Sequence, residues 1–463
     1  MNSSSALLAA LLCLAPTLHA QEAASPDLAA RIDSLARAFV ADAPAAGVSI
    51  AVIRGRDTIA FAGYGEQDRE RHVAMSRDAI HRIGSITKQF TAAAVLQHVE
   101  QGDLRLTDTL GALLPQFPRW AHITLRQLLN HTSGIHSYTA TKVLAENREK
   151  LMTRAEVMAL VSGDSLDFAP GTDYRYNNSG YFLLGMILER IESKPYADIM
   201  RDRFFQPLQM KSASYCPNLQ IGSLGALGYG TSRGKLVTGS LIDMSIPFAA
   251  GALCMSVGDF LVWQTALTSG KIVTPATFTL MTTPDTLLSG KKLNYGFGLV
   301  STNRGGHAYI QHGGDIDGFS TAQGFYPADS LRVVVFANTL GSGPSQLSAN
   351  LASVVLGLPL VPRPALPAAV ALAAPDRARY EASFDLSLPN ARVMLLRIFV
   401  QGDNVLAQLG DEAPLRLRYI GADTFATEAD MNFRLTVVFD ASGRGVRARV
   451  IQGGTLLEGS RRS

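Results

Sequence analysis

Apolar and polar positions change their period several times along the chain, and each change marks an element. Ser25-Pro26-Asp27 offers an N-cap, a proline at the first helical position and an early acid, and the amphipathic stretch behind it predicts a helix to about Val40. GVSIAVIRGRDTIAFAGYG, residues 47–65, alternates or runs apolar on both sides of Arg54-Gly55-Arg56-Asp57, which predicts a hairpin of two strands. RIGSITKQFTAAAVLQHVEQG, residues 82–102, predicts a helix that opens at Ser85 and ends at Gly102, a residue favoured just past a helix end. Its body, with Phe90, Ala92, Ala93, Ala94, Val95 and Leu96, is apolar on most sides, so the helix should be central and buried. From about 104 to 255 the pattern is mostly helical and loop-rich, with a clear helix from Ser179 to Ile191. Strand character returns after Tyr295: HAYIQ (307–311), FSTAQGFYP (319–327) and LRVVVFANT (331–339) form three successive strands, and a helix from about Ser345 to Leu356 follows.

Strands at both ends of a helical middle fit one antiparallel sheet flanked by helices with an inserted helical lobe, an α/β (α+β) fold over residues 25–358. Residues 359–375, rich in Pro and Ala, form a linker. Beyond it, short β-like runs recur between turn residues (VMLLRIFV, NVLAQL, LRLRYI, TFAT, FRLTVVFD, VRARVIQ), so residues 376–463 read as a small separate β-barrel or sandwich domain, with the barrel preferred.

Composition narrows the class. With 463 residues, 47% apolar and 17% charged, the chain suits two or three domains with a large core. The net charge is +3 and no basic cluster carries interleaved aromatics, which argues against a nucleic-acid partner. Ala6 to Leu18 is apolar, is shorter than the roughly 20 residues a membrane span needs, and precedes a small-residue cleavage site at Ala20. Residues 1–20 thus read as a signal peptide, with a periplasmic or secreted product and no membrane segment after cleavage. Cys216 and Cys254 would remain, either paired or as two buried thiols. No Cys/His cluster has metal-ligand spacing, and the sequence implies no cofactor.

The candidate chemistry starts at Ser85 and Lys88. Ser-x-x-Lys occurs three times, but Ser232/Lys235 and Ser289/Lys292 lie beside glycine in loop-like text. Side chains three apart share a helix face, so Lys88 reaches Ser85, and a desolvated lysine there would have a lowered pKa and act as a base. A helix cap with a solvated lysine is the plainer alternative. Tyr176-Asn177-Asn178 adds a phenol whose pKa a nearby ammonium would lower, and an amide able to bond both lysine and substrate. In IQHGGDIDGF (310–319), His312 stands at a strand end before two glycines that would let backbone N–H groups approach a ligand.

Taken in order, Ser-x-x-Lys, Tyr-x-Asn and His-x-Gly resemble the serine beta-lactamase/DD-peptidase superfamily, and most of all its class C beta-lactamase-like branch. LRQLLNHTSGI (125–135), PGTDYRYNNSGYFLLG and YGFG (295–298) are also similar to family text, and the likeness covers roughly residues 27–358. The resemblance implies a sheet with a helical lobe, Ser85 as acylated nucleophile, Lys88 as its amine partner, Tyr176 as proton-relaying phenol and Asn178 as the amide lining the site. It implies an oxyanion hole from the backbone N–H groups of Ser85 and Asp315, just past His312, Gly313 and Gly314. His131 matches a family position and reads as structural. The departure is His312, where beta-lactamases carry the lysine of Lys-Thr-Gly; His-x-Gly members include D-aminopeptidases, other peptidases and esterases. The expectation is an exported serine hydrolase acting through an acyl-enzyme on small amides, D-amino-acid peptides or esters. The alternatives are a class C-type beta-lactamase or a non-turnover penicillin-binding protein. The partner expected is a small-molecule or peptide substrate, and the sequence does not give an oligomeric state.

Overall fold

The computed structural model describes residues 26–462, apart from 43–44, 142, 145–146, 164, 217–223, 233–234, 240–241, 363–367, 388–392, 411–413, 428–432 and 453–454. The expected signal peptide lies outside the described residues.

Helix α1 (Pro26–Asp42) leads into β1 (Gly47–Arg54), β2 (Asp57–Asp68) and the short β3 (Val73–Ala74). Helix α2 (Thr87–Gln101) follows, and the helical lobe holds α3 (Asn178–Glu192). The chain then returns through β4 (Val300–Arg304), β5 (His307–Ile316), β6 (Phe319–Tyr326), β7 (Leu331–Ala337) and helix α4 (Pro344–Leu356). The sheet order is β3-β2-β1-β7-β6-β5-β4, so strands from both ends of the segment meet at β1 and β7, from Val48 opposite Ala337 to Arg54 opposite Leu331. Alternation decides what each face buries. Val48, Ile50, Val52, Val333 and Val335 pack with α1 and α4, while Ala51, Val334 and Phe336 join the core around α2 and the lobe. The sequence pattern did not resolve β4, a short edge strand with polar positions at Ser301, Thr302 and Asn303.

Almost every residue of α2 from Thr87 to Leu96 is buried, as its unbroken apolar body implies, and Phe90 stacks on Trp263 at 3.8 Å. Gly102 ends the helix in the left-handed conformation at φ 83°, where a Cβ would be strained. Burying a side chain such as Phe90 is worth about 1.5–3 kcal/mol, so this helix is a fixed platform for whatever its first turn carries.

The C-terminal unit is a closed barrel of β8 (Ala382–Ser387), β9 (Val393–Gln401), β10 (Asn404–Leu409), β11 (Leu415–Gly421), β12 (Thr424–Ala426), β13 (Arg434–Phe439), β14 (Gly445–Gln452) and β15 (Thr455–Arg461). Phe384, Leu396, Phe425, Leu435 and Val450 fill it. The sequence runs located six of these strands. They missed β8 and β15, the two that pair with each other from Phe384↔Arg461 to Ser387↔Glu458 and close the barrel. A short helix, Ala374–Ala378, begins inside the stretch read as linker.

Cys216 and Cys254, for which pairing was left open, are both free and buried.

Candidate active site

The first turn of the central helix carries the candidate nucleophile. Gly84–Ile86 form one 3-10 turn, and α2 proper begins at Thr87, two residues later than the pattern suggested. Neither turn nor helix is capped by a side chain, and Lys88 is 0% exposed, so the reading of Ser85/Lys88 as a cap with a solvated lysine fails. The other Ser-x-x-Lys pairs lie elsewhere: Ser232 and Lys235 face each other across a hairpin, and Ser289 sits in a turn.

Lys88 Nζ lies 3.0 Å from Ser85 Oγ, 2.8 Å from Asn178 Oδ1 and 2.8 Å from the Ala250 carbonyl oxygen. Burial holds its pKa well below the usual lysine value. Nζ donates to all three oxygens, Ser85 Oγ among them. An amine with a lowered pKa in contact with the hydroxyl is placed to take its proton, the arrangement of a nucleophile beside its base. Asn178 is oriented for this by its own Nδ2, which donates to Thr139 Oγ1 at 3.1 Å. The first turn of α3 fixes it further, because Asn177 caps that helix by accepting from the Gly180 N–H at 2.8 Å.

Tyr176 reaches the same point from the loop before α3. The Ser85 side chain influences its hydroxyl, and its ring centre is 4.8 Å from Lys88 Nζ. Although 37% of the residue is exposed, the dense surroundings of the phenol raise its pKa well above the ordinary value, against a smaller lowering by Ser85. This corrects the expectation that an adjacent ammonium lowers it: the phenol's own burial is the largest influence and outweighs the lowering. With its pKa lowered the amine suits the role of base, and with its pKa raised the phenol suits that of acid. The faces of Tyr176 and Tyr181, at 4.8 and 5.6 Å, favour the ammonium that forms when Lys88 takes a proton.

His312 is placed beside these groups but differently from the sequence expectation. It is not at a strand end. Strand β5 runs on to Ile316, with Gly313 opposite Ala322, Gly314 opposite Thr321 and Asp315 opposite Ser320. Burial first and the charge of Lys88 second lower its pKa from 6.5 to about 4. Its Nδ1 lies 2.6 Å from the Gly313 carbonyl and so carries the proton, and its Nε2 accepts from the Tyr295 hydroxyl at 3.0 Å. Both ring nitrogens are thus engaged within the protein.

The glycines also act otherwise than expected. A Cβ on Gly314 would lie 2.0 Å from the Ile83 carbonyl oxygen, so its missing side chain admits the protein's own backbone. Gly84, at φ +50°, would place a Cβ 3.0 Å from Asp315 N. These two contacts press the Asp315 backbone against the residue before Ser85. On its outer side β5 pairs with β4 only as far as Gln311, which leaves the His312–Ile316 edge unpaired in that ladder beside the turn.

His131 sits behind Tyr176 at φ 63°, with ring centres 4.4 Å apart and 4.6 Å from Tyr295. Its Nδ1 accepts from the Asn177 N–H at 3.1 Å, which ties down the chain between Tyr176 and Asn178, the positioning part its structural reading implies. Sequence reasoning missed Tyr181, Tyr295 and the Ala250 carbonyl. Tyr295 opens the YGFG stretch and so left a signal; the carbonyl left none.

Three buried histidines give a stability prediction. The pKa values of His81 and His312 are lowered to about 4, and that of His131 well below the ordinary 6.5, with burial the first cause in each case. Above pH 6.5 both folded and unfolded forms are neutral there. Below it the unfolded chain gains protons that the folded chain refuses, so stability is lost as pH falls from about 6.5 to about 4. The urea midpoint should fall continuously over that window; a flat midpoint would contradict neutral burial.

This fold and serine–lysine pair are those of the beta-lactamase/transpeptidase-like serine hydrolase superfamily. Residues 32–356 match the Beta-lactamase family, and the chain belongs to it. It is similar to a D-aminopeptidase of Gluconobacter oxydans, 26% identical over 342 residues, 73% of this chain and 64% of that protein, so it spans just under two thirds of this relative. Among solved structures it is similar to a D-stereospecific amidohydrolase from Streptomyces sp., with 26% identity, a TM-score of 0.63, and 71% and 99% of the two chains covered. The octameric penicillin-binding protein homologue from Pyrococcus abyssi shares the fold, at 21% identity and a TM-score of 0.64, over 93% of this chain and 99% of that one.

Proposed function

We propose that the protein hydrolyses small amides and peptides of D-amino acids, and related esters, through an acyl-enzyme on Ser85. The observation that carries this is the buried amine of Lys88, 3.0 Å from Ser85 Oγ and held by the Asn178 and Ala250 oxygens. The likeness to a D-aminopeptidase and a D-stereospecific amidohydrolase supports the substrate class. Ser85 gives its proton to Lys88 and Oγ bonds to the scissile carbonyl carbon. The oxyanion is held by the N–H groups of Ser85 and Asp315, each donor contributing about 3–4 kcal/mol. Tyr176 passes its proton to the leaving nitrogen and regains one from the Lys88 ammonium. Water then cleaves the acyl-enzyme, releasing the acid and restoring the Ser85 hydroxyl. The leader-like residues 1–20 extend the proposal to an exported enzyme.

The engaged nitrogens of His312 favour this reading over a beta-lactamase, because the cation that would receive a substrate carboxylate is missing from that position. The test is a panel of D-alanine p-nitroanilide, a short-chain p-nitrophenyl ester and nitrocefin, with mass spectrometry of a fluorophosphonate adduct. Amide or ester turnover should exceed nitrocefin turnover, with the adduct on Ser85. The reverse ranking would favour a beta-lactamase, an acyl adduct that never clears would mark a non-turnover binder, and labelling elsewhere with none on Ser85 would overturn the proposal.

A further inference from the structure

Past the oxyanion donor, the strand that carries it ends on an ion pair that the reaction does not use. Tyr176, which serves the leaving group, packs beside His312 with ring centres 6.1 Å apart, three residues before Asp315 on β5. The acyl group lies on the other side of the carbonyl carbon, so it extends from Asp315 toward the end of the strand. There the chain turns through Asp317 and Gly318 into β6. Strand residues advance about 3.3 Å each, which sets Asp317 about 7 Å past Asp315. Asp317 is 5% exposed, and its carboxylate accepts from the Arg148 guanidinium of the helical lobe. Both partners are fixed. The Gly318 carbonyl accepts from the Tyr229 N–H at 3.1 Å, and a Cβ on Gly318 would lie 2.6 Å from Gly228 Cα. The Arg148 carbonyl accepts from the Asp243 N–H at 2.8 Å. The lobe chain that leads to Arg148 passes the site at Thr139, whose hydroxyl accepts from Asn178 Nδ2. Leu144 on that chain shares a core with Ile316 and Phe319, which flank the turn. The pair therefore joins the wall that carries Asn178 to the wall that carries the oxyanion donor, on the nucleophile's side of the sheet.

We infer that the Arg148–Asp317 pair is the stop at the acyl end of the cleft and sets the length of acyl group that the enzyme accepts. The inference rests on the acyl-enzyme reading above. A short acyl group such as acetyl or D-alanyl ends before it reaches the pair. An octanoyl chain is long enough to meet it, and must either lay methylenes against two charged groups or part them. Parting them takes Arg148 from a buried carboxylate, which is costly. The pair thus rejects long apolar chains by charge as well as by bulk.

The test is kcat/KM of the full chain on p-nitrophenyl acetate, butyrate and octanoate, which share one leaving group. The unchanged protein should prefer acetate and lose activity as the chain lengthens. Arg148→Ala should raise the octanoate-to-acetate ratio about tenfold, the scale on which a pocket discriminates added methylenes, and leave acetate within about threefold. Arg148 is nearly half exposed, so its removal spares the core. Asp317→Asn keeps the shape of the turn and should relax the preference in the same way, whereas Arg148→Lys keeps the charge and should retain it. A pair that only holds the lobe chain in place would, when broken, slow all three esters together. That equal fall, an unchanged ratio in Arg148→Ala, or a preference of the unchanged protein for octanoate would overturn the inference. Fluorophosphonate labelling separates the two layers: a Ser85 adduct with an unchanged ratio sinks only the acyl stop, and no adduct on Ser85 sinks both.

Discussion

Lys88→Met is expected to lower kcat/KM on a p-nitrophenyl ester or D-amino-acid anilide by about ten-thousand-fold while leaving the fold in place. The loss is large because one side chain supplies the base, and the groups around it act as a unit. Methionine is long and unbranched and suits the buried channel, but it offers Ser85 no lone pair of comparable basicity. The Asn178 and Ala250 oxygens would lose their donors, at about 1–3 kcal/mol each. Removal of a desolvated amine offsets part of this, so the melting temperature should move by a few degrees only. The adduct on Ser85 should vanish with the activity. The unchanged enzyme should show the matching pH signature. Activity rises as pH climbs through the depressed Lys88 pKa, and no loss from the phenol follows near pH 10, since Tyr176 is shifted upward. Retention of more than a tenth of the activity in Lys88→Met would remove the lysine from its role.

The residues that could be read from sequence were those whose chemistry lies in a side chain at fixed spacing. Ser85 and Lys88 show themselves because three positions on a helix share a face, and their burial follows from the alanine-rich body that comes after. The single sheet built from both ends of the segment was legible because β1, β2, β6 and β7 alternate or run apolar. What escaped was set by partners distant in the chain. His312 reads only as a histidine at a strand end until Tyr295 and the Gly313 carbonyl close on its two nitrogens. Tyr176 reads as an acidified phenol until its own burial raises the pKa instead. The barrel-closing strands ASFDLS and TLLEGSR are short and mixed in polarity, and only their pairing with each other makes them strands. A backbone carbonyl such as that of Ala250 has no signature at all.

Gly314→Ala is expected to damage both stability and catalysis, and Gly313→Ala to do much less. At 314 the new methyl would meet the Ile83 carbonyl oxygen at 2.0 Å and Thr321 Oγ1 at 2.6 Å. The hydroxyl could turn aside, but the carbonyl belongs to the backbone that leads into Ser85, and Ile83 N also donates to the Leu253 carbonyl at 3.0 Å. The strand and the nucleophile turn must therefore separate. Overpacking of this kind costs about 1–3 kcal/mol or more, a fall of roughly 5 °C in melting temperature for a domain of this size. Because Asp315 follows directly, the same movement draws its N–H away from the oxyanion, for a loss of about a hundredfold in kcat. At 313 the nearest atom to the added methyl is the Thr321 carbonyl oxygen at 3.5 Å, an ordinary contact. Differential scanning calorimetry and steady-state kinetics on the two variants measure the contrast directly. Equal effects at 313 and 314 would mean that the close approach of Ile83 to the strand does not set the geometry of the site.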